Sequence, residues 1–107
     1  MTTIDRRGRV AARSPLRTLG WRAGLRVAVT VVSSVVVVVA RADGAVAITA
    51  QGHLRLPVAV RRVCRLHDGD RLLVAACPDP GILVAYPMAE LDAMVLAYHA
   101  TRRGEAC

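Results

Sequence analysis

The sequence contains no lysine and no phenylalanine, and aromatic residues make up only 3% of its 107 residues. A core built around aromatic rings is therefore excluded, and the 54% of residues that are hydrophobic must form a core from aliphatic side chains. Valine is abundant among them, and β-branched side chains suit a pleated surface because they are stiff at χ1. The composition favours a sheet-rich compact domain and excludes wholesale disorder.

Cysteine and histidine are scarce and scattered. No Cys-x-x-Cys motif occurs, and because the number of cysteines is odd, at least one cannot form an intramolecular disulfide. The residues concerned are Cys64, Cys77, Cys107, His53, His67 and His99. None of their spacings is typical of a metal site, so we expect reduced thiols, a cytoplasmic location, no metal and no cofactor.

Arrangements that carry catalysis are also missing. The chain has no Ser/His/Asp or Cys/His order, no paired-carboxylate set and no glycine loop of the kind that cradles phosphates. Asp68 and Asp70 flank Gly69, which is typical of a turn. We therefore expect that the protein is not an enzyme.

The longest uncharged run, residues 27–40, has fourteen residues, whereas a membrane-spanning helix needs about 20. An arginine-rich start and an Ala-x-Ala at residues 40–42 resemble a secretory signal, so export stays open as an alternative. The pair Ser33-Ser34 lies where a hairpin turn would divide the run into two strands. We favour the hairpin and expect no membrane partner.

Positive charge is concentrated in the first part of the chain. The formal net charge is +7, and all fifteen basic residues are arginine. Residues 1–43 hold eight arginines against Asp5 and Asp43, whereas residues 44–107 hold seven against six acids, giving net charges of +6 and +1. A basic half of this kind indicates a polyanionic partner, either nucleic acid or an anionic membrane surface.

The sequence repeats itself with a period near 44 residues, which is a signal to consider before any local pattern. With one residue inserted in the second copy, glycines and apolar residues recur in the same order. The aligned pairs include Ile4 with Ile48, Gly8 with Gly52, Val10 with Leu54, Gly24 with Gly69, Arg26 with Arg71, and residues 37–39 with residues 82–84. We interpret residues 1–43 and 44–87 as two copies of one unit.

Each unit has the same predicted order of elements. A short strand, a glycine turn and a second strand precede a short helix marked by proline. Ser14-Pro15 is typical of an N-cap followed by proline at the first helical position, and Pro57 is assigned the same helical position. A glycine bend and two strands follow, with turns predicted at Ser33-Ser34 and at residues 78–81.

Beyond Pro87 the periodicity changes to that of an amphipathic helix. Apolar residues recur at helical spacing, namely Met88, Leu91, Met94 or Val95, and Tyr98. We expect a C-terminal helix of about three to four turns within residues 88–107. Its expected role is to cover the body of the protein, or alternatively to make a contact with a partner.

Residues 48–74 resemble the AbrB/MazE/SpoVT swapped-hairpin family. The family pattern of strand, glycine turn, strand-end proline, arginine-bearing helix and Gly-Asp bend is matched by Gly52, Pro57, Arg61, Arg62, Gly69 and Asp70. Residues 4–10 are similar to the family's opening Asp-x-x-Gly-Arg. The first copy has Arg13 instead of the proline and lacks the bend aspartate, whereas the second has His53 instead of the arginine that follows the glycine.

The resemblance implies a mainly β fold with short helices. In the family, two chains interleave their hairpins into one small β-barrel, because a single unit cannot bury its own apolar face. We infer from the tandem repeat that this chain supplies both halves. The predicted fold is an AbrB-like swapped-hairpin barrel, formed within one chain as a pseudo-dimer, with a C-terminal helix added.

The resemblance also implies a transcriptional regulator that binds double-stranded DNA. Relatives contact DNA with arginines of the first hairpin and the short helix, and guanidinium groups suit both phosphate and base contacts. The candidate DNA-binding residues are Arg6, Arg7, Arg9, Arg13, Arg17, Arg55, Arg61 and Arg62. Arg55 is ambiguous, because strand alternation allows it either to face the DNA or merely to be solvated.

Two alternative functions stay open. One is an antitoxin-like interaction module whose C-terminal helix binds a toxin or mediates self-association. The other is a barrel that has lost DNA binding, since His53 stands where the family has arginine.

Overall fold

The computed structural model describes residues 2–90, Asp92 and Leu96. Of these, 41% lie in strands and 20% in helices. The larger sheet is strongly curled into a half-barrel, and the helices are short. The expectation of a mainly β fold with short helices is confirmed.

The same order of elements occurs in both halves of the chain. The first half contains β1 (Thr2–Thr3), β2 (Arg9–Ala11), α1 (Arg13–Leu19), β3 (Arg26–Val32) and β4 (Val35–Ala40). The second half contains β5 (Val46–Ala47), β6 (His53–Arg55), α2 (Val58–Val63), β7 (Arg71–Cys77) and β8 (Ile82–Pro87).

Strands of the first half pair with strands of the second half. The six-stranded sheet has the order β1-β7-β8-β4-β3-β5, and β2 and β6 form a separate two-stranded ladder. Thus β1 pairs with β7 of the second half, and β5 pairs with β3 of the first half, all antiparallel. At the centre of the sheet, β4 pairs with β8, where Val37 lies opposite Val84.

The valine-rich run forms the β3–β4 hairpin. Its strands are rich in β-branched side chains, which pack well on a pleated surface. Ser33 and Ser34, the two residues between the strands, have φ values of 50° and 65°, the positive φ pair of a type I′ turn. The turn predicted at Ser33-Ser34 is confirmed. Within the described part of the chain, no helix is long and apolar enough to cross a membrane.

One aliphatic core lies on the concave side of the large sheet. Alternate strand residues point into it and are fully buried, namely Val27, Val36, Val38, Leu72 and Leu83. The β2–β6 ladder adds Val10 and Leu54 from the opposite side, while α1 adds Leu16 and α2 adds Val60. Burial of each such side chain stabilises the fold by about 1.5–3 kcal/mol.

Two details of the helix starts differ from the prediction. Ala12 is the N-cap of α1 and makes no side-chain capping bond, so the predicted Ser14 cap is wrong. Pro15 is the third helical residue, which is tolerated because first-turn N–H groups have no helical acceptor. Pro57 is the N-cap of α2 and precedes its first helical residue, Val58.

The last strands of the two halves, β4 and β8, correspond in the structure with a register that differs by two residues from the sequence alignment. Val36 and Val38 are buried as Leu83 and Ala85 are, whereas the alignment matched residues 37–39 with residues 82–84. The shift arises because the two turns differ in length. Four residues, 78–81, connect β7 to β8, whereas two residues, Ser33-Ser34, connect β3 to β4.

The predicted C-terminal helix is described only at its start. Residues 88–90, 92 and 96 are helical. The rest of that prediction, including Leu91, Met94, Val95 and Tyr98, lies outside the described residues.

Candidate nucleic-acid interface

The β2–β6 ladder presents two arginines side by side. Arg9 lies directly opposite Arg55, and the next pair, Val10 and Leu54, points into the core with 2% exposure each. Alternation along a strand therefore puts Arg9 and Arg55 on the outer face. Like charges directly opposite each other destabilise a ladder; Arg9 has Asp5 as its partner, whereas Arg55 makes no side-chain hydrogen bond with the described residues.

Asp5 fixes the orientation of Arg9 from the preceding turn. Its Oδ2 accepts a hydrogen bond from Arg9 Nε at 2.7 Å, while Oδ1 accepts the backbone N–H groups of Arg7 at 2.9 Å and Arg9 at 2.8 Å. These interactions lower the pKa of Asp5, with the Arg9 backbone N–H contributing most. The ion pair is partly exposed on both sides, so the arginine is positioned while it stays accessible.

The second half builds the same turn without a carboxylate. Thr49 takes the place of Asp5, and its Oγ1 accepts the backbone N–H of His53 at 2.9 Å. His53 occupies the position of Arg9 and lies opposite Ala11. Its Nδ1 is buried with no hydrogen-bond partner among the described residues. This end of the ladder therefore carries less positive charge than the other.

Each glycine turn is covered by an arginine from the helix of the other half. Arg61 donates from Nε to the Leu56 carbonyl at 3.1 Å and lies so close to Gly8 that a Cβ there would be 2.7 Å from its Nε. Arg13 donates from Nε to the Gln51 carbonyl at 2.9 Å and lies over Gly52 in the same way, with a Cβ at 2.7 Å from its Cγ. Glycine is needed at both turns for this close approach and for their positive φ.

The structure distributes the predicted arginines unevenly. The central pair Arg9 and Arg55 is brought together, and Arg61 reaches the first turn. Five of the predicted residues are exposed without a described side-chain hydrogen bond, namely Arg6, Arg7, Arg17, Arg55 and Arg62. The eight predicted residues on the ladder, its turns and the two helices are called the basic face below, namely Arg6, Arg7, Arg9, Arg13, Arg17, Arg55, Arg61 and Arg62.

An open cleft of about 560 Å³ between α1 and residues 48–52 extends the basic face. Its lining contains Arg13, Arg17, Arg22 and the half-buried Trp21. A second cleft of about 450 Å³, beside α2, contains Arg61, Arg62 and Arg65. Sequence reasoning missed Arg22, Trp21 and Arg65. The net +6 charge of residues 1–43 was the available signal for Arg22, whereas no pattern singled out the other two.

The described residues hold no group of three or more potential metal ligands. Cys64 and Cys77 are both unpaired thiols. Burial raises the pKa of Cys64, and the nearby carboxylate of Glu90 raises it further. A raised pKa disfavours the thiolate, which is the form that attacks or binds metal.

No protein-family model, curated protein or solved structure matches this chain.

Proposed function

We propose that this protein is a DNA-binding transcriptional regulator of the AbrB-like type, and that it contacts duplex DNA through the basic face. The observation that carries the proposal is the cross-strand pair of Arg9 and Arg55 on the exposed side of the β2–β6 ladder. Asp5 neutralises Arg9 only in part, because their ion pair is partly exposed, and a phosphate group beside Arg55 would offset the remaining repulsion within the pair.

We further propose that the fold is a tandem fusion of two swapped-hairpin units. The reciprocal pairing of β1 with β7 and of β5 with β3 supports this interpretation. Residues at corresponding positions of the two halves make corresponding backbone hydrogen bonds. The Ile4 N–H donates to the Asp70 carbonyl at 2.9 Å, and the Ile48 N–H donates to the Leu25 carbonyl at 3.0 Å. A fused pair would carry two DNA-binding hairpins in one chain, with the first more basic than the second.

Phosphate contacts account for the binding mode. Arginine reaches phosphate oxygens with little demand on geometry, and such contacts carry affinity and orientation but no sequence information. The exposed Arg6 and Arg7, in the turn before β2, extend the charge of the ladder at one end. We therefore expect strong dependence on salt and a loose sequence preference.

The test is a titration of duplex binding against salt. With about five to eight arginines near phosphates, the slope of log K against log salt should be roughly −4 to −7. A slope near zero, or no binding to any duplex at low salt, would refute the proposal.

A matched pair of variants locates the contact. Arg55→Ala should weaken binding and make the slope less negative by about one unit. Arg41→Ala removes the same charge from the segment between β4 and β5, where Arg41 pairs with Asp43, and should leave the slope unchanged. Equal effects would mean that net charge, rather than the basic face, drives binding. Arg61 is unsuitable for this comparison because it also holds the Leu56 carbonyl.

A further inference from the structure

The open cleft between α1 and residues 48–52 has the dimensions of a small-molecule site. Its volume is about 560 Å³, and ligand sites of proteins commonly measure roughly 300–1,000 Å³. Its lining includes the buried Leu16 and Ile48 and the half-buried Trp21, so it offers apolar and aromatic surface as well as charge. We call it the Trp21 cleft.

Trp21 provides more than the core requires. It is the only tryptophan of the chain, and it corresponds to Leu66 of the second half. The Trp21 N–H donates to the Leu16 carbonyl at 2.9 Å, as the Leu66 N–H donates to the Arg61 carbonyl at 2.9 Å. Leu66 belongs to the core with 9% exposure, whereas Trp21 packs against the core and also lines the cleft. An aliphatic side chain is thus sufficient for packing, and the ring adds aromatic surface to the cleft.

The residue before Trp21 leaves space in the cleft. Gly20 has a φ of 71° and corresponds to Arg65, whose φ is 53°. Gly20 lines the Trp21 cleft without a side chain, whereas Arg65 adds a long side chain to the lining of the cleft beside α2. The two halves therefore build different clefts at corresponding positions.

Three arginines give the Trp21 cleft its charge. Arg13, Arg17 and Arg22 line it, and none of its described lining residues is acidic. The hydrogen bond from Arg13 Nε to the Gln51 carbonyl holds Arg13 in place, whereas Arg17 and Arg22 are exposed and make no side-chain hydrogen bond with the described residues. Guanidinium groups bind phosphate oxygens through paired N–H donors. The cleft therefore attracts an anion with several oxygens.

We propose that the Trp21 cleft binds a free nucleoside phosphate. The base stacks on Trp21, since stacking on an aromatic side chain suits any base, and the phosphates lie against Arg17 and Arg22. Thr49 and Gln51, which also line the cleft, carry hydroxyl and amide groups that suit the polar edge of a base or a sugar. An inorganic anion would leave the aromatic surface unused, and an uncharged ring would leave the arginines unused.

Binding of ADP to the full chain, measured without DNA, tests the proposal. Equilibrium dialysis with radiolabelled ADP gives the dissociation constant, and the fluorescence of the single tryptophan, excited beyond the absorption of adenine, reports on the cleft. We expect a dissociation constant below about 1 mM and a change in fluorescence that follows the same curve. Because no duplex is present, this result and that of the duplex titration are independent of each other. The absence of saturable binding at about 1 mM ADP would overturn the inference.

Fragments of the ligand separate the base from the phosphates. Pyrophosphate and adenosine should each bind at least about 10-fold more weakly than ADP, because each lacks one of the two kinds of contact. Pyrophosphate that binds as tightly as ADP would reduce the cleft to an anion site, and adenosine that does so would remove the arginines from it; either result contradicts the proposal. A short single-stranded oligonucleotide that changes the fluorescence when ADP does not would assign the cleft to a nucleic-acid strand instead.

Two variants of Trp21 separate stacking from packing. Trp21→Leu introduces the residue that the second half has at this position and should weaken ADP binding about 10-fold in dialysis. Trp21→Phe keeps an aromatic ring and should retain most of the affinity. Circular dichroism establishes that each variant is folded. Unchanged ADP binding by a folded Trp21→Leu chain would place the nucleotide elsewhere, and equal losses in the two variants would mean that the base does not stack on the ring.

A matched pair of arginine variants tests the phosphate contact, and it decides the question if the Trp21 variants do not fold. Arg22→Ala should weaken ADP binding about 10-fold and leave the affinity for adenosine unchanged, because only the phosphates contact it. Arg41→Ala removes the same charge from a residue that does not line the cleft and pairs with Asp43, and it should leave ADP binding unchanged. Equal losses would mean that net charge holds ADP and would overturn the assignment.

Discussion

At the scale of single residues, Asp5 organises the most basic end of the ladder. It accepts three hydrogen bonds, two from backbone N–H groups and one from the Arg9 side chain. Asp5 therefore fixes the conformation of the turn, and the arginines around it still leave a surplus of positive charge.

The lowered pKa of Asp5 has a consequence for stability against pH. Since the pKa of Asp5 in the folded protein lies below the ordinary value for aspartate, about 3.9, the stabilisation is fully present above that ordinary value and is lost as pH falls through the folded pKa. Asp5→Asn should therefore lower the thermal midpoint at neutral pH. The difference from the unmodified chain should shrink towards zero in strong acid, and thermal unfolding at several pH values measures it. A difference that is constant with pH would contradict this role.

The two halves can be compared by exchanging residues at corresponding positions. His53→Arg adds a guanidinium beside Ala11 on the ladder, without an acid at position 49 to pair with it. We expect tighter duplex binding and a salt slope more negative by about one unit. Arg9→His should change both quantities in the opposite direction, and the double exchange should come close to the original values. If His53→Arg leaves duplex binding unchanged, the second half does not face DNA.

At the scale of elements, the β3–β4 turn contains two residues that do not favour its backbone conformation. Ser33 and Ser34 both have positive φ, a conformation that costs L-residues with a Cβ about 1–2 kcal/mol each. Asn-Gly is the favoured pair for this turn type. The valine-rich strands hold the turn together despite its unfavourable residues.

Replacing Ser33-Ser34 by Asn-Gly should stabilise the protein by about 1 kcal/mol, or roughly 4–8 °C in thermal midpoint. Ala-Ala at the same positions is the control, since it keeps the Cβ strain and should give no gain. Differential scanning calorimetry measures both. A gain from Ala-Ala equal to that from Asn-Gly would show that backbone strain is not the cause.

Helix starts illustrate where local patterns mislead. Ser14-Pro15 matches a capping signature, yet α1 begins earlier, at Arg13. The buried Ala12 N–H donates to the Gly52 carbonyl at 3.1 Å, so a contact with the other half sets the end of β2 and the start of the helix. A favourable N-cap residue stabilises a helix by about 1 kcal/mol, and tertiary contacts such as the one between Ala12 and Gly52 outweigh this contribution.

At the scale of the whole molecule, the two halves share one core and pair their strands with each other, β1 with β7 and β5 with β3.

The sequence by itself determined the local framework. The abundance of valine predicted the sheet-rich fold, the Ser33-Ser34 pair within the uncharged run predicted the hairpin turn, and the arginine content set the excess of positive charge. These features depend on neighbours close in the chain and on side-chain chemistry. The arginines of the basic face were therefore identifiable as candidates from composition and from the family resemblance.

Only the tertiary structure decided which residues meet. Arg9 is opposite Arg55, Arg61 covers Gly8, and β1 pairs with β7 across the two halves. The same local patterns are compatible with several strand orders and registers. The partial exposure of the outer side of β3 and β4 was likewise hidden in the sequence, because a run of valines reads the same whether one or both sides of its strands are covered. Long-range pairing is set by burying both halves in one core, and no short stretch of sequence records it.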